Sequence, residues 1–253
     1  MQRICFISDT HLDASTPALN ALFVDTLMTH ASQANTVYLL GDIFEAWIGD
    51  DYQPEWLDPI KSALSSLVNQ GIQVSFMVGN RDFLVGPGFL KPLGIELLEE
   101  NHCIEWANQS LLLCHGDALC IDDIAYQEFR SMVRNPDWQN SILSQSVDTR
   151  LALAQTMRQG SQMGNANKSE SIMDVNQNEV LRTMSEYNSH IMIHGHTHRP
   201  AHHVFQHDDI DSHRIVLGDW QPAQPSWLML NSDGSGELVA HGEKTAVHLF
   251  ENA

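Results

Sequence analysis

The sequence predicts a layered α/β fold, two sheets packed together and flanked by helices, and three observations predict it. Short apolar runs rich in β-branched residues alternate with segments of helical periodicity through the first half of the chain. Later apolar runs succeed one another across short connections. At 253 residues and 43% hydrophobic content, the chain can bury a core between several layers as one domain, 1–253.

The elements follow in order. Residues 4–7, 37–40, 74–78 and 111–114 read as strands. Leu19, Leu22, Phe23 and Leu27 recur at helix spacing, as do Ile60, Ala63, Leu64, Leu67 and Val68, so helices alternate with strands in the βαβ manner. From about 122 to 173 the pattern turns helical: Tyr126, Phe129, Met132 and Val133, then Ile142, Leu143, Val147, Leu151 and Ala154, form apolar faces. This stretch reads as an inserted helical lid, and residues 160–167, GSQMGNAN, as a flexible polar loop. Runs at 191–193, 215–217 and 227–230 predict antiparallel strands of the second sheet.

Composition excludes several classes. No apolar run approaches the roughly 20 residues of a membrane-crossing helix, so any membrane association is expected to be peripheral. Residues 3–7 already read as a core strand, so no processing segment is expected, and the cytoplasm is the expected compartment. Cys5, Cys103, Cys114 and Cys120 lack C-x-x-C spacing, and disulfides are not expected. A formal charge of −19 disfavours long nucleic acid as a partner, because that affinity comes from cations on phosphates. One segment runs against that charge: Arg130, Arg134, Arg150, Arg158 and Lys168 face only Asp137 and Asp148, which suits either a held anion or a solvated helical face.

The chemistry sits at strand ends. Asp9-Thr10-His11, Gly41-Asp42, Gly79-Asn80, His115 and Gly195-His196-Thr197-His198 each lie just beyond the carboxyl end of a predicted strand, where open α/β sheets place their sites. Alone, Asp-x-His is a turn or helix cap and Gly-Asn a left-handed turn. Together they offer seven imidazole, carboxylate and amide ligands, which describe two adjacent metal ions and a hydrolytic centre. Asp42, central in the series, is the candidate bridge. Asp9, His11 and His198 would complete one ion's ligands, and Asn80, His115 and His196 the other's. Oxygen and imidazole donors without thiolate favour two Mn²⁺ ions, leave Fe and Zn²⁺ open and disfavour Ca²⁺.

In order, spacing and placement after strands, these segments resemble the calcineurin-like metallophosphoesterases over most of the chain. The resemblance implies a four-layer α/β/β/α sandwich and two-metal hydrolysis of a phosphoester or phosphoanhydride. Many members of that family carry His after Gly-Asn, where this chain has Arg81 followed by Asp82. An alkoxide leaving group needs a proton donor, whereas phosphate, whose last pKa is about 6, leaves as an anion. Arginine cannot donate the proton but offers phosphate a planar fork, so Arg81 points to a diphosphate substrate. The plain alternative is a surface arginine paired with Asp82.

The runs at 8–12, 41–47, 79–84, 115–117, 172–176 and 195–200 are similar to those of the UDP-2,3-diacylglucosamine diphosphatase family. That resemblance implies hydrolysis of UDP-2,3-diacylglucosamine to 2,3-diacylglucosamine 1-phosphate and UMP in lipid A synthesis, with water attacking the α-phosphorus. It also implies Mn²⁺ dependence and peripheral attachment to the cytoplasmic face of the inner membrane. The catalytic set would be Asp42, Asn80, Arg81, His115 and His196, with substrate contacts from Asn80, Arg81, Asp123, Ser161, Asn165, Lys168 and His196. Read without the resemblance, Asp123 is equally a helix cap, Ser161 and Asn165 are loop polarity, and the inserted helices either form an acyl-chain cleft or pack on the core. Another dimetal phosphoesterase, such as a dinucleoside polyphosphate hydrolase, and a non-catalytic scaffold of this fold are the rival readings. His202, His203, His207 and His213 read as surface residues and Asp50-Asp51 as a solvated loop, while His194 and Asp117 are expected to orient ligands.

Overall fold

The computed structural model describes residues 1–165, 172 and 174–250, at 161–165 by their backbone alone. In chain order the elements are β1 (Arg3–Ile7), α1 (Pro17–Thr29), β2 (Thr36–Leu40), α2 (Asp58–Asn69), β3 (Gln73–Met77), α3 (Pro87–Leu90), β4 (Glu96–Leu97), β5 (Asn101–Trp106) and β6 (Gln109–Cys114). Then come α4 (Ile124–Val133), α5 (Pro136–Leu143), α6 (Val147–Asn165), α7 (Gln177–Glu186), β7 (Ile191–His194), β8 (Ala201–His207), β9 (Ile210–Val216), β10 (Trp227–Asn231), β11 (Ser235–Ala240) and β12 (Glu243–His248).

One sheet runs β12-β11-β10-β1-β2-β3-β4 and the other β5-β6-β7-β9-β8. The period of two along each strand divides the side chains between layers. On β1, Ile4 and Phe6 enter the core between the sheets, while Cys5 and Ile7 face the core under α1 and α2. On β6, Leu111 and Leu113 join the inter-sheet core, while Leu112 and Cys114 pack with Val180 and Met184 of α7. Helix, sheet, sheet and helix thus stack as four layers, α/β/β/α.

Two expectations about strands are corrected. Residues 227–230 form β10, which lies in the first sheet, antiparallel to β1. Its apolar character is real on both faces, with Trp227 in the helix-side core and Leu228 and Leu230 between the sheets. β7 and β9 pair in parallel, not antiparallel, with β8 as the antiparallel connection between them. An apolar run reports burial but neither its partner nor its direction.

The inserted helices α4, α5 and α6 are held down through the cations that stood out in the sequence. Arg150, buried, donates to Ile48 O at 2.6 Å and to both carboxylate oxygens of Asp51, at 2.7 and 2.5 Å. Arg134 Nη2 donates to Gly79 O at 3.0 Å, and Arg130 Nε to Asp117 Oδ2 at 2.8 Å, with Glu100 on the same guanidinium. These three cations serve the fold. Asp50-Asp51 is accordingly not a free solvated loop, since Asp50 Oδ1 accepts from Trp47 Nε1 at 2.9 Å and from the Gly86 N–H at 3.1 Å.

Residues 160–165 continue α6, correcting that part of the expected loop, while 166 and 167 lie outside the described residues. Helix propagation adds one hydrogen bond per residue fixed, and it outweighs the roughly 1 kcal/mol cost of Gly160. His213 is buried rather than on the surface, because β9 lies inside its sheet; its ring stacks on His202 at 5.2 Å. No helix among the described residues is long and apolar enough to cross a membrane.

Candidate metal centre

β1, β2 and β3 are parallel neighbours in one sheet, and β6 and β7 in the other, so their carboxyl ends bring five loops to one place. The loops carry Asp9 and His11, Asp42, Asn80, His115, and His196 and His198. Five of these residues take left-handed backbone: Asp9 (φ 52°), His11 (49°), Asp42 (53°), His196 (68°) and His198 (56°). Each such residue costs about 1–3 kcal/mol and persists only where its surroundings fix it. Here the Asp9 N–H donates to Gly41 O at 3.1 Å, the His11 N–H to Asp42 O at 3.0 Å, and the His196 N–H to both oxygens of Asp9 at 3.1 Å.

The side chains turn inward. His11 Nε2 lies 3.3 Å from His198 Nε2, which is 3.4 Å from Asp9 Oδ1. Asn80 Oδ1 sits 2.9 Å from His115 Nε2 and 2.8 Å from His196 Nδ1, and His115 Nε2 is 3.6 Å from Asp42 Oδ1. Ligand atoms of Asp9, His11 and His198 fall within 4.8 Å of one another, as do those of Asp9, Asp42 and His115. Asp9 therefore reaches both groups, a role expected of Asp42 alone from the sequence.

The charges explain what this cluster would take. Burial acts to raise the Asp9 pKa, but the bond from His198 and the charges of His115, His198 and His11 carry it far below the usual carboxylate range. Burial would lower His115, yet Asp42, Asp9 and Asp117 push it up to about 9. His196 is lowered to about 4 by burial and by His115 beside it. Buried carboxylates that draw protons onto neighbouring imidazoles fit divalent cations, which neutralise the one and take the lone pairs of the other. The imidazoles are also oriented for it. His115 Nδ1 donates to Leu40 O at 2.9 Å, and Glu45 Oε2 lies at ion-pair distance, 3.3 Å, from His11 Nδ1, so both Nε2 atoms face inward.

Gly79 makes close approach a requirement. A Cβ there would stand 2.2 Å from Asp42 Oδ1 and 2.4 Å from its backbone N. Gly79→Ala is therefore expected to displace Asp42 and weaken divalent-cation binding about 10–100-fold, the scale of losses when a ligand's support is disturbed. Isothermal titration with Mn²⁺ checks this, and unchanged affinity would contradict it.

Asp82 is not the partner of Arg81. It is buried and accepts backbone N–H groups of Gly79 at 2.7 Å, Ile43 at 2.8 Å, and Asp42 and Phe44 at 3.3 Å. Burial and the nearby Asp42 carboxylate raise its pKa to about 6. Asp82→Ala strands these donors, each worth about 1–3 kcal/mol when buried unpaired, so a loss of at least about 2 kcal/mol is expected in urea denaturation. A loss within error of zero would contradict the role.

Arg81 instead pairs with Glu45 at 3.6 Å and, with Asn80, lines a cleft of about 420 Å³. The cleft's other walls are largely apolar: Phe83, Phe129, Trp138, Ile142, Leu153 and Met157 contribute, several from the inserted helices. Sequence reasoning missed Glu45, which also meets Arg158 at 3.2 Å and so ties a ligand, Arg81 and α6 together. Its only signal was a carboxylate three residues after Asp42 in an apolar run. Asp117 accepts from Tyr126 Oη at 2.7 Å, and the Tyr126 ring lies 5.9 Å from that of His196. His194 donates through Nδ1 to Gly195 O at 2.8 Å and accepts from Arg214 at Nε2. Asp123 caps α4, accepting the Tyr126 N–H at 3.1 Å, and does not line the cleft. The side chains of Ser161 and Asn165, and Lys168 entirely, lie outside the described residues.

Residues 2–200 match the calcineurin-like phosphoesterase family. The chain is 46% identical over 232 residues to the UDP-2,3-diacylglucosamine hydrolase of Chromohalobacter salexigens, covering 92% of this chain and 94% of that one. It is 44% identical over 238 residues to the protein of that name from Haemophilus influenzae (94% and 98%), and 44% over 228 residues to that from Serratia proteamaculans (90% and 95%).

Proposed function

The chain belongs to the calcineurin-like phosphoesterases, and from that premise we propose that it hydrolyses UDP-2,3-diacylglucosamine to 2,3-diacylglucosamine 1-phosphate and UMP in lipid A synthesis. The observation that carries the reading is the apolar cleft ending at Asn80 and Arg81, beside the candidate metal ligands. A phosphatase for small polar esters has no use for such walls, whereas two acyl chains bury themselves there.

Two Mn²⁺ ions are the proposed cofactors, held by Asp9, His11, Asp42, Asn80, His115, His196 and His198. When bound, such a pair supplies a nucleophilic water at neutral pH and neutralises phosphoryl oxygens. The chain's own residues do the rest. Asp42 and Asp9 hold negative charge at the centre, and His115 and His11 are fixed in orientation by Leu40 O and Glu45. Asn80, at the cleft wall, and His196, whose Nδ1 lies 2.8 Å from Asn80 Oδ1, would meet the reacting phosphate. Arg81 meets the departing sugar 1-phosphate with a planar guanidinium and needs no proton to transfer, because the leaving group is already a stable anion.

The exposed apolar side chains of Ile124, Met132, Leu143 and Leu151 on the inserted helices support peripheral contact with the cytoplasmic face of the inner membrane, where the diacylated substrate resides. The test of the reading is turnover in ¹⁸O-labelled water followed by mass spectrometry of both products. Label in UMP is expected, from attack at the α-phosphorus. Label in the sugar 1-phosphate would overturn the site of attack, and absence of either product would overturn the reading.

A further inference from the structure

A second cavity, of about 490 Å³, opens at His198 and shares no lining residue with the apolar cleft. Its walls come from β8 and β9 of one sheet, β11 and β12 of the other, and the loop after β7. Its chemistry is the reverse of the cleft's. Arg214, 8% exposed, gives one guanidinium nitrogen to His194 at 3.1 Å, but its Nε has no hydrogen-bond partner among the described residues. The buried hydroxyl of Thr197, a residue that also lines the cavity, has none among them either. A buried donor left unpaired costs about 1–3 kcal/mol, so each favours a side-chain turn that brings it a partner, and both belong to residues of the cavity wall.

Resting on the reading above, we propose that this cavity is the subsite for the nucleoside half of the substrate, its ribose and uracil. A molecule with two acyl chains at one end and a polar nucleoside at the other needs two unlike pockets meeting at the diphosphate. The described residues form both kinds, one lined by Asn80 and the other by His198. The charge of the second cavity selects a neutral polar guest over another anion. Arg199 is already bound by Asp174 at 2.6 Å, and Glu243 adds a carboxylate to the wall. Turned into the cavity, the side chains of Arg214 and Thr197 offer donors to uracil carbonyls, and ribose hydroxyls can donate to the carboxylates.

The test compares UMP with inorganic phosphate on the Mn²⁺-loaded full chain, because phosphate reports the metal centre alone. Thr245 lies exposed on β12 at the rim, so Thr245→Trp fills the cavity with little risk to folding. Arg214→Lys keeps the charge and removes the Nε donor. Each variant is expected to weaken UMP about tenfold, equivalent to about 1.4 kcal/mol. Inorganic phosphate should bind as before, and saturation transfer from protein to the uracil protons should fall. UMP bound as tightly by Thr245→Trp as by the wild type, or phosphate and UMP weakened equally, would overturn the subsite. Failure of the wild type to release UMP from UDP-2,3-diacylglucosamine would instead overturn the proposed reaction. The two failures are thus distinguishable.

Discussion

Asp42→Ala is expected to abolish Mn²⁺-dependent turnover while leaving the fold in place. Asp42 faces His115 across 3.6 Å, receives the Arg81 N–H at 2.8 Å and falls in one ligand group with Asp9 and His115, so its carboxylate stands at the centre of the ligand set. Charge stabilisation of several kcal/mol goes with it, and at 1.36 kcal/mol per tenfold the loss in kcat/KM is about 10³-fold or more. Removing one of several buried acids from an anionic cluster should not unfold the chain, which thermal melting checks. A non-catalytic scaffold would show no turnover to lose, so turnover by the wild type would by itself exclude that rival. Residual turnover above about a tenth of wild type would contradict the assignment, since it would amount to a loss of under about 1.4 kcal/mol.

Arg81→Ala is expected to lower kcat about 10²–10³-fold, the scale for loss of one donor aimed at developing charge. Arg81→Lys should fall between, because an ammonium keeps the charge but not the fork. The diagnostic is the leaving group. On a nitrophenyl phosphodiester, whose departing anion needs little help, the deficit of Arg81→Ala should shrink toward wild type. An equal deficit on both substrates would contradict a leaving-group role and leave Arg81 as a support for Glu45.

Much of the centre was legible in the chain because its ligands are chemically distinctive and each follows a run that must be a strand. Asp9, Asp42, Asn80, His115 and His196 all sit at the strand ends where the sequence put them. What could not be read was contact between distant segments. Glu45 looks like any loop carboxylate until His11, Arg81 and Arg158 surround it. Asp82 looked like a partner for Arg81, yet the N–H groups of two loops enclose it. Arg150 and Asp51 stand 99 positions apart and are bound to each other. Strand direction failed for a related reason: β10 carries the same apolar signal in either sheet, and only the completed packing assigns it.

Anomalous diffraction at the manganese edge, from crystals grown with Mn²⁺, tests the centre most directly. Two peaks about 3.5–4 Å apart are expected, with His11 and His198 around one, Asn80, His115 and His196 around the other, and the carboxylates of Asp9 and Asp42 between the two sets. No peak among these seven side chains, or manganese bound only elsewhere on the molecule, would contradict the account.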